Sequence, residues 1–358
     1  MASSVLVHKT ALKETRICDK DLPPLEEGAV RLKIESFSIT ANNITYAVTG
    51  DLFGYWNFFP GDGEWGIVPV WGHARVEQSR HPEIAVGERV YGYLPMATHL
   101  DVLPGKLSSS GFIDMAAHRQ PMSPIYNQYS RLNADPEHDA TRERERMLFG
   151  PLFKTGFLIE AMFRRESWFG AEVLIMTSAS SKTSMGLASV ARDLSPDIKR
   201  IGLTSKGNCK FVRETGLYDQ VLDYDEVTGL PQTPSVLVDF AGSQSLLRNI
   251  HEVLGEHLKY SCLVGATHAD ARGLTAKNSM KGPAPILFFA PDHAVATINE
   301  LGAKGFGDAV AISWASFLNA VDGTIDIDEQ IGLEAAARAF ERSLSGQADA
   351  QKGIIIRP

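Results

Sequence analysis

Residues 172–188 read EVLIMTSASSKTSMGLA, and this stretch decides the fold that we expect for the chain. An apolar run of strand type, EVLIM, leads into a turn of small and hydroxyl residues and then into a helical pattern. Apolar runs and amphipathic segments alternate from there on: IKRIGLTS, KFVRETGL, SVLVDFAG, SLLRNIHEVL and KYSCLVGAT. Short apolar strands separated by amphipathic helices are typical of βαβ units around a parallel sheet. The sequence therefore predicts a doubly wound α/β domain from about Ala171 onward.

Residues 1–120 differ from this pattern, because short β-type runs are interrupted there by glycine and proline. The runs are AVRLKIESFSI (29–39), GIVPVWGHARV (66–76) and ERVYGYLPM (88–96). They predict an irregular, mainly β domain. A chain of 358 residues is long enough for two cores, so we expect two domains. The predicted bounds are 1–150 with 290–358 for the β domain and 151–289 for the α/β domain.

The composition does not favour nucleic-acid or membrane partners. The net charge is −8 and the pI about 5.7, so no positive field attracts nucleic acid or an anionic membrane. No stretch approaches the roughly 20 apolar residues of a membrane span, and the N-terminus lacks the apolar run of a signal peptide. Cys18, Cys209 and Cys262 are scattered without C-x-x-C spacing, which is typical of a reducing compartment. We therefore expect a cytoplasmic protein whose partner is a small-molecule substrate.

The turn after the first α/β strand is the candidate nucleotide site, because doubly wound sheets bind ligands at the carboxyl ends of their strands. The turn is not G-x-G-x-x-G, since only Gly186 remains of the usual glycines. Small residues still let the backbone approach a pyrophosphate, and the following helix N-terminus supplies N–H donors. The same residues also fit a Ser/Thr helix cap followed by an exposed lysine. The candidate ligands are Ser178, Ala179, Ser180, Ser181, Lys182, Thr183 and Gly186.

The end of the second predicted strand, GLTSKGNCK, indicates which dinucleotide would bind. NAD binders usually place Asp or Glu there, about 20 residues past the glycine turn, to hold the ribose 2′-hydroxyl. This end has no carboxylate to repel a 2′-phosphate, and it offers hydroxyls, an amide and a cation. It therefore favours NADP(H) over NAD(H). The candidate ligands are Thr204, Ser205, Lys206 and Asn208.

The order of these elements resembles the medium-chain dehydrogenase/reductase superfamily, in particular an atypical member of its zinc-free quinone and enoyl reductase branch. The matching segments are VRLKIESFSITANNITYAVTG, VWGHARV, VGERVYGY, EVLIMTSASSKTSMGLA, RIGLTSKGN, LYDQVLDYDE, VDFAG and LVGAT. The resemblance covers nearly the whole chain. It implies a GroES-like catalytic domain, a Rossmann domain and further cofactor contacts. These contacts are Tyr224, Gly265, Thr267 and Phe289.

The same comparison predicts that the catalytic zinc is absent. Zinc needs thiolate or imidazole ligands in a tetrahedral array. Thr40 stands where the resemblance places the first cysteine ligand, and Ala74 replaces the glutamate of the G-H-E segment. No cysteine lies between Cys18 and Cys209, so His73 alone cannot form the site. His73 is then either a structural histidine or part of the substrate pocket.

The loop after the first strand, TANNITYAVTGDLFGYWNFFP (40–60), carries the catalytic candidates that the resemblance implies. Hydride transfer without a metal still needs a proton donor and donors to the developing oxyanion. Asn42 and Asn43 offer amide donors, and Tyr46 and Tyr55 offer phenolic protons. Alternatively, the aromatic residues pack the β domain and the asparagines form a turn. The predicted pocket residues are Thr40, Trp56, Phe59, His73 and Tyr126.

The leading hypothesis is a zinc-independent, NADP(H)-dependent oxidoreductase that reduces an enone, a quinone or a ketone. The aromatic loop favours an apolar or aromatic substrate. A second hypothesis is a lyase or retro-aldol-type enzyme on the same fold that uses the dinucleotide transiently or as a structural element. A third is a binding or sensing protein without catalysis. A homodimer joined through the nucleotide domains is possible, as such dimers are common among proteins of the superfamily.

Overall fold

A computed structural model describes residues 1–264 and 280–358 of the chain. The chain divides into two compact units. The first unit comprises Met1–Leu148 and Asp326–Pro358, and the second comprises Phe149–Ile325. One helix, Glu143–Arg165, contains the boundary between Leu148 and Phe149.

The first unit is mainly β. Its strands are β1 (Ala2–His8), β2 (Thr15–Lys20), β3 (Val30–Ile39), β4 (Trp65–Gly66), β5 (Pro69–Ser79), β6 (Arg89–Pro95), β7 (His99–Val102), β8 (Pro104–Gly105), β9 (Gly111–Asp114), β10 (Gln128–Arg131), β17 (Asp326–Ile331) and β18 (Lys352–Arg357). Its helices are α1 (Ala41–Val48), α7 (Leu333–Leu344) and the first part of α2 (Glu143–Arg165). Short 3₁₀ turns lie at Tyr55–Asn57, Ala117–Arg119 and Pro124–Asn127. The predicted β domain is therefore confirmed.

The strands of the first unit pack around a large apolar core. In the described residues, nine strands form one sheet in the order β17-β18-β3-β5-β6-β10-β9-β8, with β7 also paired to β3, and β2-β1-β4 form a second sheet. Leu32 and Ile34 of β3 lie in the core at alternate positions. A register shift between Ile34 and Ser36 then turns Phe37 to the core. β3 ends at Ile39, and Thr40 is the N-cap residue of α1.

The second unit is built around a parallel sheet. Its strands are β11 (Val173–Met176), β12 (Lys199–Thr204), β13 (Gln220–Asp223), β14 (Ser235–Asp239), β15 (Leu258–Leu263) and β16 (Ile286–Leu287). Its helices are α3 (Lys182–Leu194), α4 (Cys209–Glu214), α5 (Gln244–Leu254), α6 (Ala290–Ala320) and the remainder of α2. Short 3₁₀ turns lie at Ser167–Gly170, Lys206–Asn208, Tyr224–Gly229 and Gly255–His257. Within the described residues the strand order is β13-β12-β11-β14-β15-β16, and each neighbouring pair is parallel. This is the order of a doubly wound dinucleotide fold and confirms the predicted fold class.

The second domain boundary differs from the expected residue 290, because α6 belongs to the second unit. Phe317 of α6 stacks on Phe153 of α2 with the ring centroids 5.1 Å apart. Ser316 of α6 donates to the carboxylate of Asp193, which lies in the last turn of α3. Because of these contacts, α6 packs with the helices of the second unit, and that unit extends to Ile325. No helix that the structure describes is both long and apolar enough to cross a membrane.

Candidate active site

The start of α1 is fixed by Thr40 and Asn43, two of the predicted site residues. The Thr40 N–H donates to Asn43 Oδ1 at 2.6 Å, and the Asn43 N–H donates back to the Thr40 carbonyl at 3.1 Å. Asn43 Nδ2 donates to the Pro69 carbonyl on β5 at 2.8 Å, and Asn43 is 1% exposed. The amide of Asn43 is thus occupied by backbone groups. This geometry favours a structural role for Asn43 over the predicted role of donor to a substrate.

The Tyr46 hydroxyl lies one helical turn beyond Asn42 and accepts two hydrogen bonds. Asn42 Nδ2 donates to Tyr46 Oη at 3.0 Å, and Trp71 Nε1 donates to the same oxygen at 3.2 Å. Thr40 Oγ1 donates to Asn42 Oδ1 and orients the amide. Because both lone pairs of the phenol oxygen are used, its own proton points away from these partners. Tyr46 is therefore arranged as a donor whose oxygen is already held by two N–H groups.

Three more tyrosines pack around Tyr46, and we call Tyr46, Tyr55, Tyr93 and Tyr126 the tyrosine cluster. Ring centroids are 4.7 Å apart for Tyr46 and Tyr55 and 4.8 Å apart for Tyr93 and Tyr126. The hydroxyls of Tyr55 and Tyr126 lie 3.2 Å apart. Burial raises the pKa of all four phenols. The four side chains are therefore neutral at physiological pH and act as hydrogen-bond or proton donors, not as bases.

The two predicted aromatic wall residues lie in different places. Phe59 packs with the tyrosine cluster, as does its neighbour Phe58. Trp56 instead belongs to the apolar core of the first unit. Its indole fits against Gly50 and Gly66 so closely that a Cβ on Gly50 would lie 2.2 Å from Trp56 Nε1. Trp56 is thus a core residue and not a pocket wall, because its ring is enclosed by glycine backbone.

Arg119 contacts both phenylalanines of this aromatic loop and holds the loop in place, a role that the sequence did not reveal. Arg119 is 2% exposed and forms an ion pair with the buried Asp114. Its Nε donates to the Phe58 carbonyl at 3.2 Å, and its guanidinium carbon lies 4.7 Å from the centroid of the Phe59 ring. A charge buried in this way must be paired, and the pairing fixes the backbone that carries the two phenylalanines.

His73 lies on β5, on the same side of the strand as Trp71, and is fully buried. Among residues 1–264 and 280–358, no group hydrogen-bonds to either ring nitrogen. Burial lowers its pKa to about 3, so the imidazole is neutral at physiological pH. No group of three or more His, Cys, Asp or Glu side chains in the described residues is arranged to hold a metal ion. His73 packs against Tyr91, with the ring centroids 5.1 Å apart.

In the second unit, the predicted nucleotide site is the turn from β11 into α3. Ser178 adopts a left-handed conformation with φ of 46°, a region that favours glycine. Ser181 caps α3 by accepting from the Ser184 N–H at 3.2 Å, and Lys182 is the first residue of the helix. The serine cap that was the alternative interpretation is therefore present. The nucleotide-site interpretation of the same turn stays a prediction.

Residues from three strand ends meet at this turn. Ser180 Oγ accepts from Thr204 Oγ1 at 3.4 Å and from Asn208 Nδ2 at 3.2 Å. Ser178 Oγ lies 3.4 Å from the Tyr224 hydroxyl, just after β13. The predicted cofactor residues of β11, β12 and β13 are thus brought together at one edge of the sheet. Ser205 and Lys206 lie beside them on the surface, while Ala179 is buried and Thr183 half-buried.

Tyr218 and Gly202 hold the turn in place, and neither was predicted. The Tyr218 hydroxyl donates to the Ala179 carbonyl at 2.7 Å and lies 2.9 Å from Ser184 Oγ. A Cβ on Gly202 would lie 2.8 Å from Ala179 Cβ and 2.9 Å from the Tyr218 ring. Glycine inside a strand is a known signal of close approach, so Gly202 was the available clue.

Gly186 and Phe289 were also predicted as cofactor residues. A Cβ on Gly186 would lie 3.1 Å from Phe153 Cα, so this glycine serves the packing of α3 against α2 rather than contact with a phosphate. Phe289 precedes α6 as its N-cap residue. Gly265 and Thr267 lie outside the described residues.

A family model described as "Protein of unknown function (DUF2855)" matches residues 37–349. No curated protein matches the chain. Among solved structures, CurA from Vibrio vulnificus in complex with NADPH has a TM-score of 0.63 at 13% identity, with 99% of this chain and 98% of that chain covered. The yhdH oxidoreductase from Salmonella enterica in complex with NADP has a TM-score of 0.55 at 12% identity, with 99% of each chain covered.

The quinone oxidoreductase from Coxiella burnetii has a TM-score of 0.56 at 12% identity, with 100% of this chain and 99% of that chain covered. At identities this low, the likeness shows the fold alone. The GroES-like and Rossmann architecture expected from the medium-chain dehydrogenase/reductase resemblance is thereby confirmed.

Proposed function

The chain belongs to the family described as "Protein of unknown function (DUF2855)", and we propose that it is a zinc-independent, NADP(H)-dependent oxidoreductase. Its substrate is an apolar or aromatic small molecule with a carbonyl group or an activated C=C bond. The observation that carries this proposal is the meeting of three hydroxyl-rich strand ends at Ser178 and Ser180. The structures of CurA with NADPH and of the yhdH oxidoreductase with NADP give it further support.

The residues at this edge suit a dinucleotide phosphate. The N–H groups at the start of α3 and the hydroxyls of Ser178 and Ser180 suit a pyrophosphate. Ser205 and Lys206 suit the 2′-phosphate, because they offer a hydroxyl and a cation on the surface of a turn that has no carboxylate. The left-handed Ser178 lets the backbone turn there as a glycine would. These features favour NADP(H) over NAD(H).

Tyr46 is the proton donor in this proposal. NADP(H), when bound, supplies the hydride. Tyr46 supplies the proton that the reduced substrate requires, so that a carbonyl becomes a hydroxyl group and the tyrosinate regains its proton from water. Asn42 and Trp71 donate to the Tyr46 oxygen and stabilise the negative charge that remains there. Burial keeps the Tyr46 pKa high, so the phenol holds its proton until the substrate takes it.

Hydrogen-bond donors replace a metal in this scheme. The thiolate ligands that a zinc site needs are missing from the sequence, where Thr40 stands in the place of the first cysteine. Neutral phenols and N–H groups supply the electrostatic stabilisation instead. Tyr55 and Tyr126, whose hydroxyls pair with each other, support the packing around Tyr46.

Absorbance at 340 nm separates this proposal from the alternatives. The protein is mixed with NADPH and a panel of aromatic ketones, enones and quinones. A reductase consumes one NADPH for each substrate molecule reduced. Bound NADPH that is never consumed by any member of the panel, although product forms, would instead favour the lyase hypothesis. NADPH binding without any turnover would favour a sensor.

A further inference from the structure

The Tyr93 hydroxyl is a buried polar group that the proposed function does not use. Tyr93 is 0% exposed, and within the described part of the chain its hydroxyl has no hydrogen-bond partner of ordinary length. A buried hydroxyl without a partner lowers stability, and phenylalanine would fill the same space without that penalty. An unpaired group of this kind is expected where a ligand completes the bonding.

The ring of Tyr93 is held firmly in place. It contacts Phe58 edge-on, with the centroids 5.2 Å apart, and Tyr126 at 4.8 Å. Its own carbonyl accepts from the Tyr129 hydroxyl at 2.7 Å. Trp71 is its cross-strand partner on β5, with the ring centroids 5.2 Å apart. The hydroxyl is therefore presented in a fixed position.

Tyr46 packs against Tyr93 within the tyrosine cluster. The rings of Tyr46 and Tyr93 meet edge-on, with the centroids 5.4 Å apart. Burial raises the pKa of Tyr93, and Tyr46 raises it further, both by the charge of its ionised form and by a long hydrogen-bonding contact with the Tyr93 hydroxyl. The Tyr46 oxygen already accepts from Asn42 and Trp71, so its own proton points away from these two donors. Two neutral phenols thus pack against each other, and in the described residues the Tyr93 hydroxyl has no acceptor at ordinary hydrogen-bond distance.

We propose that Tyr46 and Tyr93 form a two-donor site for one carbonyl oxygen, that of an aromatic ketone, enone or quinone. Such an oxygen has two lone pairs, one for each phenol. The rings of Trp71, Phe58 and Tyr126 suit the aromatic part of the ligand, and Trp71 and Tyr126 are the half-buried members through which it enters. The assignment rests on the proposed function for the reduction but not for the binding. During reduction the oxygen takes the Tyr46 proton while Tyr93 remains a hydrogen-bond donor to it.

The test compares 9-fluorenone with fluorene, which has the same rings but no oxygen. Binding is measured by quenching of protein fluorescence, with and without NADPH. The wild-type protein is expected to prefer 9-fluorenone by about 30-fold, since two net hydrogen bonds are made. Tyr93→Phe and Tyr46→Phe each reduce this preference about fivefold, and the double variant removes it. Tyr91→Phe is the matched control, because the Tyr91 hydroxyl donates to the Arg146 carbonyl and lies two residues away on the same strand.

A second measurement covers the folding of the variants. Tyr93→Phe removes an unpaired hydroxyl, so its unfolding temperature without ligand stays equal to that of the wild type or rises. A marked loss of stability in Tyr93→Phe, or an unchanged preference for 9-fluorenone, would overturn the site, as would failure of both compounds to bind. If NADPH fails to bind while the preference remains in the wild type, the two-donor site stands and the proposed function falls. If NADPH is consumed but Tyr93→Phe keeps the preference for 9-fluorenone, the proposed function stands and the two-donor site falls.

Discussion

The indole N–H of Trp71 donates to the hydroxyl oxygen of Tyr46 at 3.2 Å. The two residues come from different elements, Trp71 from β5 and Tyr46 from α1. The bond therefore fixes the phenol of a short helix against the larger sheet. With Asn42 donating to the same oxygen, it leaves the Tyr46 proton as the part of the phenol that is free to react.

Replacing Trp71 by phenylalanine is expected to lower kcat about tenfold with little change in KM. Phenylalanine preserves an aromatic ring against Tyr91, on which Trp71 stacks with the centroids 5.8 Å apart. It removes the N–H that stabilises the developing charge on Tyr46, and a hydrogen bond to a charged group contributes about 1.5 kcal/mol or more. Steady-state kinetics with a reducible aromatic ketone measures the effect. Trp65→Phe, on the short strand β4, serves as a control, and an equal loss there would argue against a specific role for Trp71.

The stability of the first unit is expected to fall in mild acid because of His73. Its pKa is about 3 in the folded protein against 6.5 for an exposed histidine, since burial disfavours the cation. The unfolded chain therefore binds the proton first, and the free energy of unfolding falls as the pH drops below 6.5. At pH 5 this amounts to about 2 kcal/mol. Denaturant unfolding at pH 7 and pH 5 should show a smaller difference for His73→Leu than for the wild type.

His81→Gln gives the comparison for that experiment, because His81 lies just beyond the end of β5 and is only half-buried. Its pH dependence is expected to follow the wild type. If His73→Leu also keeps the full wild-type dependence, the loss in acid comes from other groups and the role assigned to the buried imidazole is incorrect.

Loss of the Tyr218 hydroxyl is expected to weaken NADPH and NADH equally. Tyr218→Phe removes the donor to the Ala179 carbonyl and loosens the turn that both dinucleotides share. One net hydrogen bond corresponds to about a fivefold loss of affinity. Titration of each dinucleotide by fluorescence checks this. A loss of affinity for NADPH alone would mean that Tyr218 acts on the binding of the 2′-phosphate and does not stabilise the turn that both dinucleotides share.

The protein is expected to act without zinc. Dialysis against a chelator should leave turnover unchanged, and elemental analysis should find far less than one zinc per chain. The reason is the ligand set, in which Thr40 and Ala74 replace groups that a catalytic zinc site of this fold would use. One tightly bound zinc per chain, with activity lost on its removal, contradicts the assignment.

The fold was predictable because strand and helix periods repeat clearly in the second half of the chain. The apolar run at β11 is buried at all four positions, as expected for an inner strand with helices on both faces. The convergence of Ser180, Thr204 and Asn208 also followed, since parallel strands end at one edge of the sheet.

The tyrosine cluster was only partly predictable. Tyr46, Tyr55 and Tyr126 were identified, but Tyr93 and the neighbouring Trp71 were not. These two meet through the pairing of β5 with β6, and a single sequence does not specify that register. Trp56 was predicted in the pocket but lies in the apolar core. Aromatic composition alone does not distinguish a core side chain from a pocket wall.

The most direct test of the cofactor assignment is a titration of NADPH and NADH by fluorescence, on the wild type, Lys206→Ala and Lys199→Ala. Lys206 follows the carboxyl end of β12 and Lys199 starts the same strand, so the two variants remove one charge from opposite ends. The wild type is expected to bind NADPH at least about tenfold more tightly than NADH, because a charge-assisted contact holds the 2′-phosphate. Lys206→Ala loses this preference and Lys199→Ala keeps it. Equal or tighter binding of NADH, or no binding of either dinucleotide, contradicts the account.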